Sequence, residues 1–166
     1  MKTISLWTLW AMLIAYGHKK IETRSWKAPE KLIGQRIAIH STKAMPGWVK
    51  RLLPEFAKLL GIKYEGSWLY YLACGIGPFG KVVATAKLAA CYRIIGFKIV
   101  DGKAGAGLEN GMVIDNDSLE YHFGDYTPGR YAWILEDVQP LKEPIPANGK
   151  QGLWNWEEGE QYAADN

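Results

Sequence analysis

The longest regular signal in the chain is a period of two. Across residues 81–91, Val82, Ala84, Ala86 and Leu88 fall on one face of an extended segment, with Val83, Thr85 and Lys87 on the other. Such a strand is stable only inside a sheet. Shorter alternations at residues 20–24, 36–40 and 131–136 offer it neighbours, residues 3–6 and 152–156 offer two more, and the run at 36–40 ends on His40-Ser41. Helical spacing interrupts the strands early. Trp10, Leu13 and Ile14 share a face before Gly17, where a left-handed cap fits. Trp48, Leu52, Phe56, Leu59 and Leu60 share another, with Pro54 inside it, so a kink or two short helices are expected. Ser67 is placed to cap a third helix through Tyr71 and Ala73. A glycine-rich, charged connection between residues 97–100 and 112–114 reads as a projecting hairpin.

Length and composition narrow the class. With 166 residues, 48% apolar and 22% charged, the chain has the size and balance of one globular domain, which excludes disordered and fibrous classes. No internal repeat or long linker divides it, and no apolar run approaches the about 20 residues that a membrane span requires. Residues 1–17 lack the cleavage site of a signal peptide, so a cytoplasmic protein with no membrane partner is expected. The formal charge is +3, rising to +7 without the last ten residues, which hold four acids and no base. That tail, 157–166, is expected to fray. Eight Trp and nine Tyr are enough both to fill a core and to form stacking platforms. At least two of Trp133, Trp154 and Trp156, all in alternating contexts, belong to the core. Cys74 and Cys91 sit in apolar runs and read as buried thiols.

Several chemical motifs fail on inspection. The run Gly-Lys-Ala-Gly-Ala-Gly at 102–107 is not followed by the Ser/Thr and helix of a phosphate loop, and it reads as a hairpin tip. Asp115-Asn116-Asp117 lacks the Gly and the distal bidentate Glu of a calcium loop. His18, His40 and His122 have no ligand spacing, and no nucleophile elbow is present. No metal and no cofactor is expected.

The informative stretch is residues 17–24, Gly-His-Lys-Lys-Ile-Glu-Thr-Arg. Glu22 and Arg24 share one strand face, with Lys20 and Trp26 in line. Lys19 joins them only if the turn after Gly17 re-aims it. A solvated strand face with weak local ion pairs would carry the same letters. The pattern Gly-x-Lys-x-x-Glu-x-Arg, formed by Gly17, Lys19, Glu22 and Arg24, resembles the signature of ASCH domains, which belong to the PUA-like superfamily of small barrels associated with RNA. The opening Ile-Ser-Leu-Trp-Thr-Leu-Trp-Ala at 4–11, the ending Ile39-His40, Val-Val-Ala-Thr-Ala at 82–86 and Gly-Asp-Tyr-Thr-Pro-Gly-Arg-Tyr-Ala-Trp at 124–133 also fit, so the resemblance spans nearly the whole chain.

The resemblance implies an α+β fold: a single-domain, small PUA-like β-barrel over residues 1–156, with flanking helices from the first ninety residues. It implies recognition of RNA or a modified nucleoside in a polar cleft beside the barrel. Some members are enzymes. One branch hydrolyses the acetyl amide of N4-acetylcytidine using a Lys, a Thr nucleophile and a distant Glu, and ribonuclease activity is attributed to another. Lys19 matches that lysine, but Glu22 occupies the nucleophile's position, and Thr23, one residue on, faces the other way. The alternative function is therefore a hydrolase in which Glu22 serves as general base and Lys19 polarises an acyl oxygen. In the binding reading, Lys19, Lys20, Arg24, Lys43 and Arg130 contact phosphate, while Trp10, Trp26 and Tyr126 stack on an unpaired base. His40 and Ser41 are candidates for the cleft mouth, although Ser41 fits a turn cap equally well. Asp125, Tyr126 and Arg130 lie on a Pro-Gly turn that is either the rim of the site or a plain turn. The basic face around Lys50, Arg51 and Lys58 reads as solvated. A third class, a protein–protein adaptor using exposed aromatics, predicts indifference to changes at Glu22. A monomer is expected.

Overall fold

In the computed structural model, which describes residues 1–157, the alternating run is the first half of a longer strand. The acidic tail beyond Glu157 lies outside the described residues. The order is β1 (Lys2–Leu6), α1 (Thr8–Ala15), β2 (Ile21–Arg24), β3 (Arg36–Ser41), α2 (Gly47–Lys50), α3 (Leu53–Leu59) and α4 (Trp68–Ala73). It continues with β4 (Lys81–Val100), β5 (Lys103–Leu108), β6 (Val113–Asp115), α5 (Leu119–His122), β7 (Tyr131–Pro146) and β8 (Leu153–Asn155). The class is α+β with a mixed sheet, and no pairing among the described strands closes a barrel. No helix among the described residues is long and apolar enough to cross a membrane. The chain divides into two compact units, and β4 and β7 each run from one into the other.

The first unit comprises residues 1–16, 37–85 and the chain from 139 onward. Here β1 pairs in parallel with β3, with Ser5 opposite His40, and antiparallel with β8, with Thr3 opposite Trp154. Helix α1 is buried on nearly every side, and Leu9, Leu13 and Ile14 are fully enclosed. Each such side chain contributes about 1.5–3 kcal/mol through removal from water. Pro54 does divide the second helical stretch. It sits in the first turn of α3, where a missing N–H breaks no helical bond. Ser67 caps α4 by accepting from the Tyr70 amide at 3.4 Å.

The second unit comprises residues 17–36 and 86–138. Strand β2 lies antiparallel to β7, with Glu22 opposite Trp133 and Arg24 opposite Tyr131. Its core gathers Ile21, Ile94, Ala106, Leu108, Ile114, Tyr126 and Ala132. Trp133, Trp154 and Trp156 are all buried, as the alternation implied.

Two expectations are corrected here. The glycine run is not a hairpin tip. Only Gly102 lies in the turn, sharing it with Asp101, both at positive φ (+76° and +50°), the backbone that tight two-residue hairpins require. The rest is β5, paired with β4 on one side and β6 on the other. The glycines serve close approach: a Cβ on Gly105 would lie 1.9 Å from the Ile114 carbonyl oxygen. Gly105→Ala is therefore expected to lower stability by about 2 kcal/mol, read by urea unfolding. A wild-type midpoint in that variant would show that β6 yields freely. The second correction concerns the cysteines. Cys74 is exposed and Cys91 half-buried. The Cys91 sulfur accepts from the Ala28 amide at 3.3 Å, and burial pushes its thiol pKa up.

Candidate functional site

The site begins where α1 ends. Gly17, at φ +78°, turns the chain, and β2 starts only at Ile21, so Lys19 precedes the strand and escapes its alternation. Its side chain is 1% exposed, an unusual placement for lysine that requires a fixed partner. That partner is Glu120. Lys19 Nζ donates to Glu120 Oε1 at 2.9 Å, and the Tyr126 hydroxyl donates to the same oxygen at 3.2 Å. The backbone N–H of Lys20 donates to Oε2 at 2.6 Å. Both carboxylate oxygens are thus held. Helix α5 presents Glu120 in its first turn, and Ser118 starts that turn by accepting from the Tyr121 amide at 3.2 Å.

Glu22 follows on β2 and is buried, with Arg24 Nε 3.6 Å from its Oε1. Burial raises its carboxyl above the usual value. The charges of Arg24, Lys19 and Arg130 oppose that rise, and Glu120 adds to it. The Arg24 guanidinium stands 5.9 Å over the Trp26 ring, which meets Trp133 edge-on at 4.8 Å. Thr23 faces the other side of the strand, as alternation requires. Its Oγ1 accepts from the Asp125 amide at 3.3 Å, and its carbonyl accepts from Arg130 Nη2 at 3.1 Å.

The loop before β7 is organised by Asp125. Its carboxylate accepts from the Thr127 hydroxyl at 2.6 Å and faces Arg130 Nε at 3.2 Å. Burial pushes the Asp125 carboxyl up, but the Thr127 hydrogen bonds and Arg130 outweigh that and hold it below its ordinary value. Tyr126 is buried and stacked on Tyr121 at 5.5 Å, with Lys19 Nζ 5.9 Å from its ring centroid. One ring face is therefore already covered by protein. Burial and the neighbouring Glu120 push its phenol far up, so the hydroxyl remains a donor.

Of the residues expected from the sequence, Lys19, Lys20, Glu22, Arg24, Trp26, Asp125, Tyr126 and Arg130 belong to this one unit. Trp10, His40, Ser41 and Lys43 belong to the other. There, Trp10 packs against Trp48 at 5.8 Å and Phe56 at 6.4 Å. Ser41 is fully buried and donates to the Thr8 hydroxyl at 2.9 Å, while Lys43 reaches Asn148 Oδ1 at 2.9 Å. The His40 ring bonds Ser5 Oγ through Nδ1 and the Ala147 carbonyl through Nε2, each at 3.1 Å. Burial lowers its pKa and Lys43 adds to that, against the Ala147 bond. Among the described residues no group of three or more His, Cys, Asp or Glu is placed to hold a metal.

Glu120 is the residue that sequence reasoning missed. Its only local signal is a serine-capped turn, since a four-residue helix shows no periodicity. The cluster as a whole offers a carboxyl biased toward holding a proton, a buried ammonium fixed in place, and two half-exposed guanidiniums.

No family model and no curated protein matches the chain. Solved structures do. The ASCH protein of Zymomonas mobilis is 20% identical, with a TM-score of 0.49, covering 96% of this chain and 88% of that one. A tyrosine-to-phenylalanine variant of the same protein is 19% identical at a TM-score of 0.45 (95% and 90% covered). A serine-to-alanine variant is 21% identical at 0.46 (95% and 88%). The solved structures to which the chain is similar are those of an ASCH protein.

Proposed function

We propose that residues 1–156 form one PUA-like domain that recognises RNA or a modified nucleoside through the cluster of Lys19, Glu22, Arg24 and Glu120. The observation that carries this reading is the grading of the cluster. Glu22 and Lys19 are buried, Arg24 and Arg130 are half-exposed, and Lys20 is in water. A nucleotide needs such a grading: a fixed hydrogen-bonding group for the base edge at depth, and cations outside for the phosphate. Trp26, half-exposed beside Arg24, supplies a ring for stacking worth about 1–3 kcal/mol per base. Affinity for single-stranded RNA is expected to fall as salt rises. Arg24→Gln and Arg130→Gln should each flatten the logarithmic slope by about 0.7. Lys19→Met is expected to weaken binding about tenfold at fixed salt, the worth of one charge-assisted hydrogen bond. An affinity indifferent to salt would sink the proposal.

One observation favours a second reading, a hydrolase of the same cluster. A carboxyl raised by burial is, once ionised, a stronger base than an ordinary carboxylate, so Glu22 serves as general base to water while a lysine polarises the acyl oxygen. Incubation with N4-acetylcytidine, other acylated nucleosides and mixed RNA, read by mass spectrometry, separates the two. Products from the wild type but not from Glu22→Gln establish the hydrolase. Binding without turnover leaves the recognition module. Binding indifferent to Glu22 points to the adaptor class instead.

A further inference from the structure

Two acids stand in the cluster around Lys19, and only one of them has its hydrogen bonds. Glu120 takes donors on both oxygens, from Lys19, the Tyr126 hydroxyl and the Lys20 backbone. Glu22 accepts no hydrogen bond among the described residues. Arg24 Nε, 3.6 Å from its Oε1, is at ion-pair distance but beyond hydrogen-bond reach. The other cations nearby are spent, Lys19 on Glu120, and Arg130 on Asp125 and the Thr23 carbonyl. Yet the Glu22 side chain is only 9% exposed. A carboxyl at that depth ordinarily carries donors, because burying one unpaired is costly. No Glu22 oxygen is both unbonded and fully enclosed, so the two that accept nothing still reach the surface.

We infer that Glu22 takes its donors from a guanine base, its carboxylate accepting from N1–H and the N2 amine together. The inference rests on the recognition reading above and names the base. An ionised carboxylate is acceptor-only, with two oxygens side by side. Unpaired bases are read on their Watson–Crick edges, and of the four in RNA only guanine sets two N–H donors next to each other there. Adenine and cytosine each place a ring-nitrogen acceptor beside the amine. Uracil flanks its one N–H with two carbonyls. Each of these three would turn a lone pair toward a carboxylate oxygen. The carboxyl must be ionised for this, so the preference belongs above its titration, which burial raises, Arg24, Lys19 and Arg130 hold down and Glu120 lifts further. Once protonated, Glu22 offers a donor beside an acceptor, which the other bases match as well, and the preference disappears.

Calorimetric titration with the monophosphates of guanosine, inosine, adenosine, cytidine and uridine tests this, beside single-stranded RNA hexamers that differ in one central base. Inosine is guanosine without the N2 amine, so it removes one donor and nothing else. Guanosine is expected to bind about tenfold tighter than inosine, the worth of one charge-assisted hydrogen bond, and tighter still than the other three. In Glu22→Gln, whose amide has the same shape but only one acceptor, guanosine and inosine should become alike, with thermal unfolding showing the variant folded. In the wild type, lowering the pH through the raised value should narrow the same gap without any substitution. A preference confined to the hexamers places the guanine within a chain, and one shared by the monophosphates admits the free nucleotide. Equal affinity for guanosine and inosine overturns the inference and leaves the recognition reading standing. So does a gap that persists in Glu22→Gln. Binding of no nucleotide and no hexamer removes both.

Discussion

Glu120→Ala is expected to remove about 3–5 kcal/mol of stability, the cost of leaving one member of a buried ion pair without its partner. The magnitude follows from where the charge is stranded. Lys19 is 1% exposed, so its ammonium group cannot turn to water without moving the chain around it. The same carboxylate also accepts from the Lys20 backbone and the Tyr126 hydroxyl, and both donors would be left open. The pair between Lys27 and Glu30 has a similar formula, but its members are 52% and 87% exposed, and removing it should leave the unfolding curve unmoved. Burial, not ion-pair count, decides which acid matters. A double variant, Lys19→Met with Glu120→Gln, should recover most of the loss, because neither position then leaves an unpartnered charge. Urea unfolding followed by tryptophan fluorescence reads all three proteins. A loss below about 1 kcal/mol for Glu120→Ala would mean that Lys19 reaches solvent after all.

What was legible in the sequence was whatever is written locally. Gly17 marks the end of α1, Pro54 separates α2 from α3, and Ser67 caps α4, because each acts on backbone within a turn of itself. Glu22 and Arg24 share a face by alternation alone. Glu120 was illegible for the opposite reason: it meets Lys19 across 101 residues, and no spacing rule reaches that far. The alternation that announces β4 runs out at Ala89-Ala90-Cys91, and the irregularity between Ile94 and Gly96 keeps it from resuming in step. The glycine run misled because the absence of a side chain reads as freedom. At Gly105 and Gly107 it reflects instead a neighbouring backbone and the Lys98 side chain occupying the space. Tyr126 has the chemistry of a stacking platform, but Tyr121 already covers one face of it.

Glu22→Gln should abolish a pH dependence that runs against the usual one for an acid. The carboxyl sits at 4.5 in an unfolded chain and is raised in the folded one, first by burial. Below pH 4.5 both states hold the proton and no slope results. Between 4.5 and the raised value the folded chain keeps a proton that the unfolded chain has released, so stability falls as pH rises. Above the raised value both forms are ionised and the whole cost of burying the carboxylate is in place. The variant carries no such group, so the wild-type-minus-variant stability should decline through this window and then level off. A difference that climbs with pH would show that Arg24 and Lys19 overcome burial. The same titration bears on function. If Glu22 reads a base edge by donating its proton, affinity declines as pH rises through the raised value, and the variant, whose amide always donates, binds without that decline. If Glu22 is a general base, turnover instead rises as pH passes the raised value, and the variant is inactive. The two readings thus predict opposite slopes from one proton, and the rival roles separate without any change of substrate.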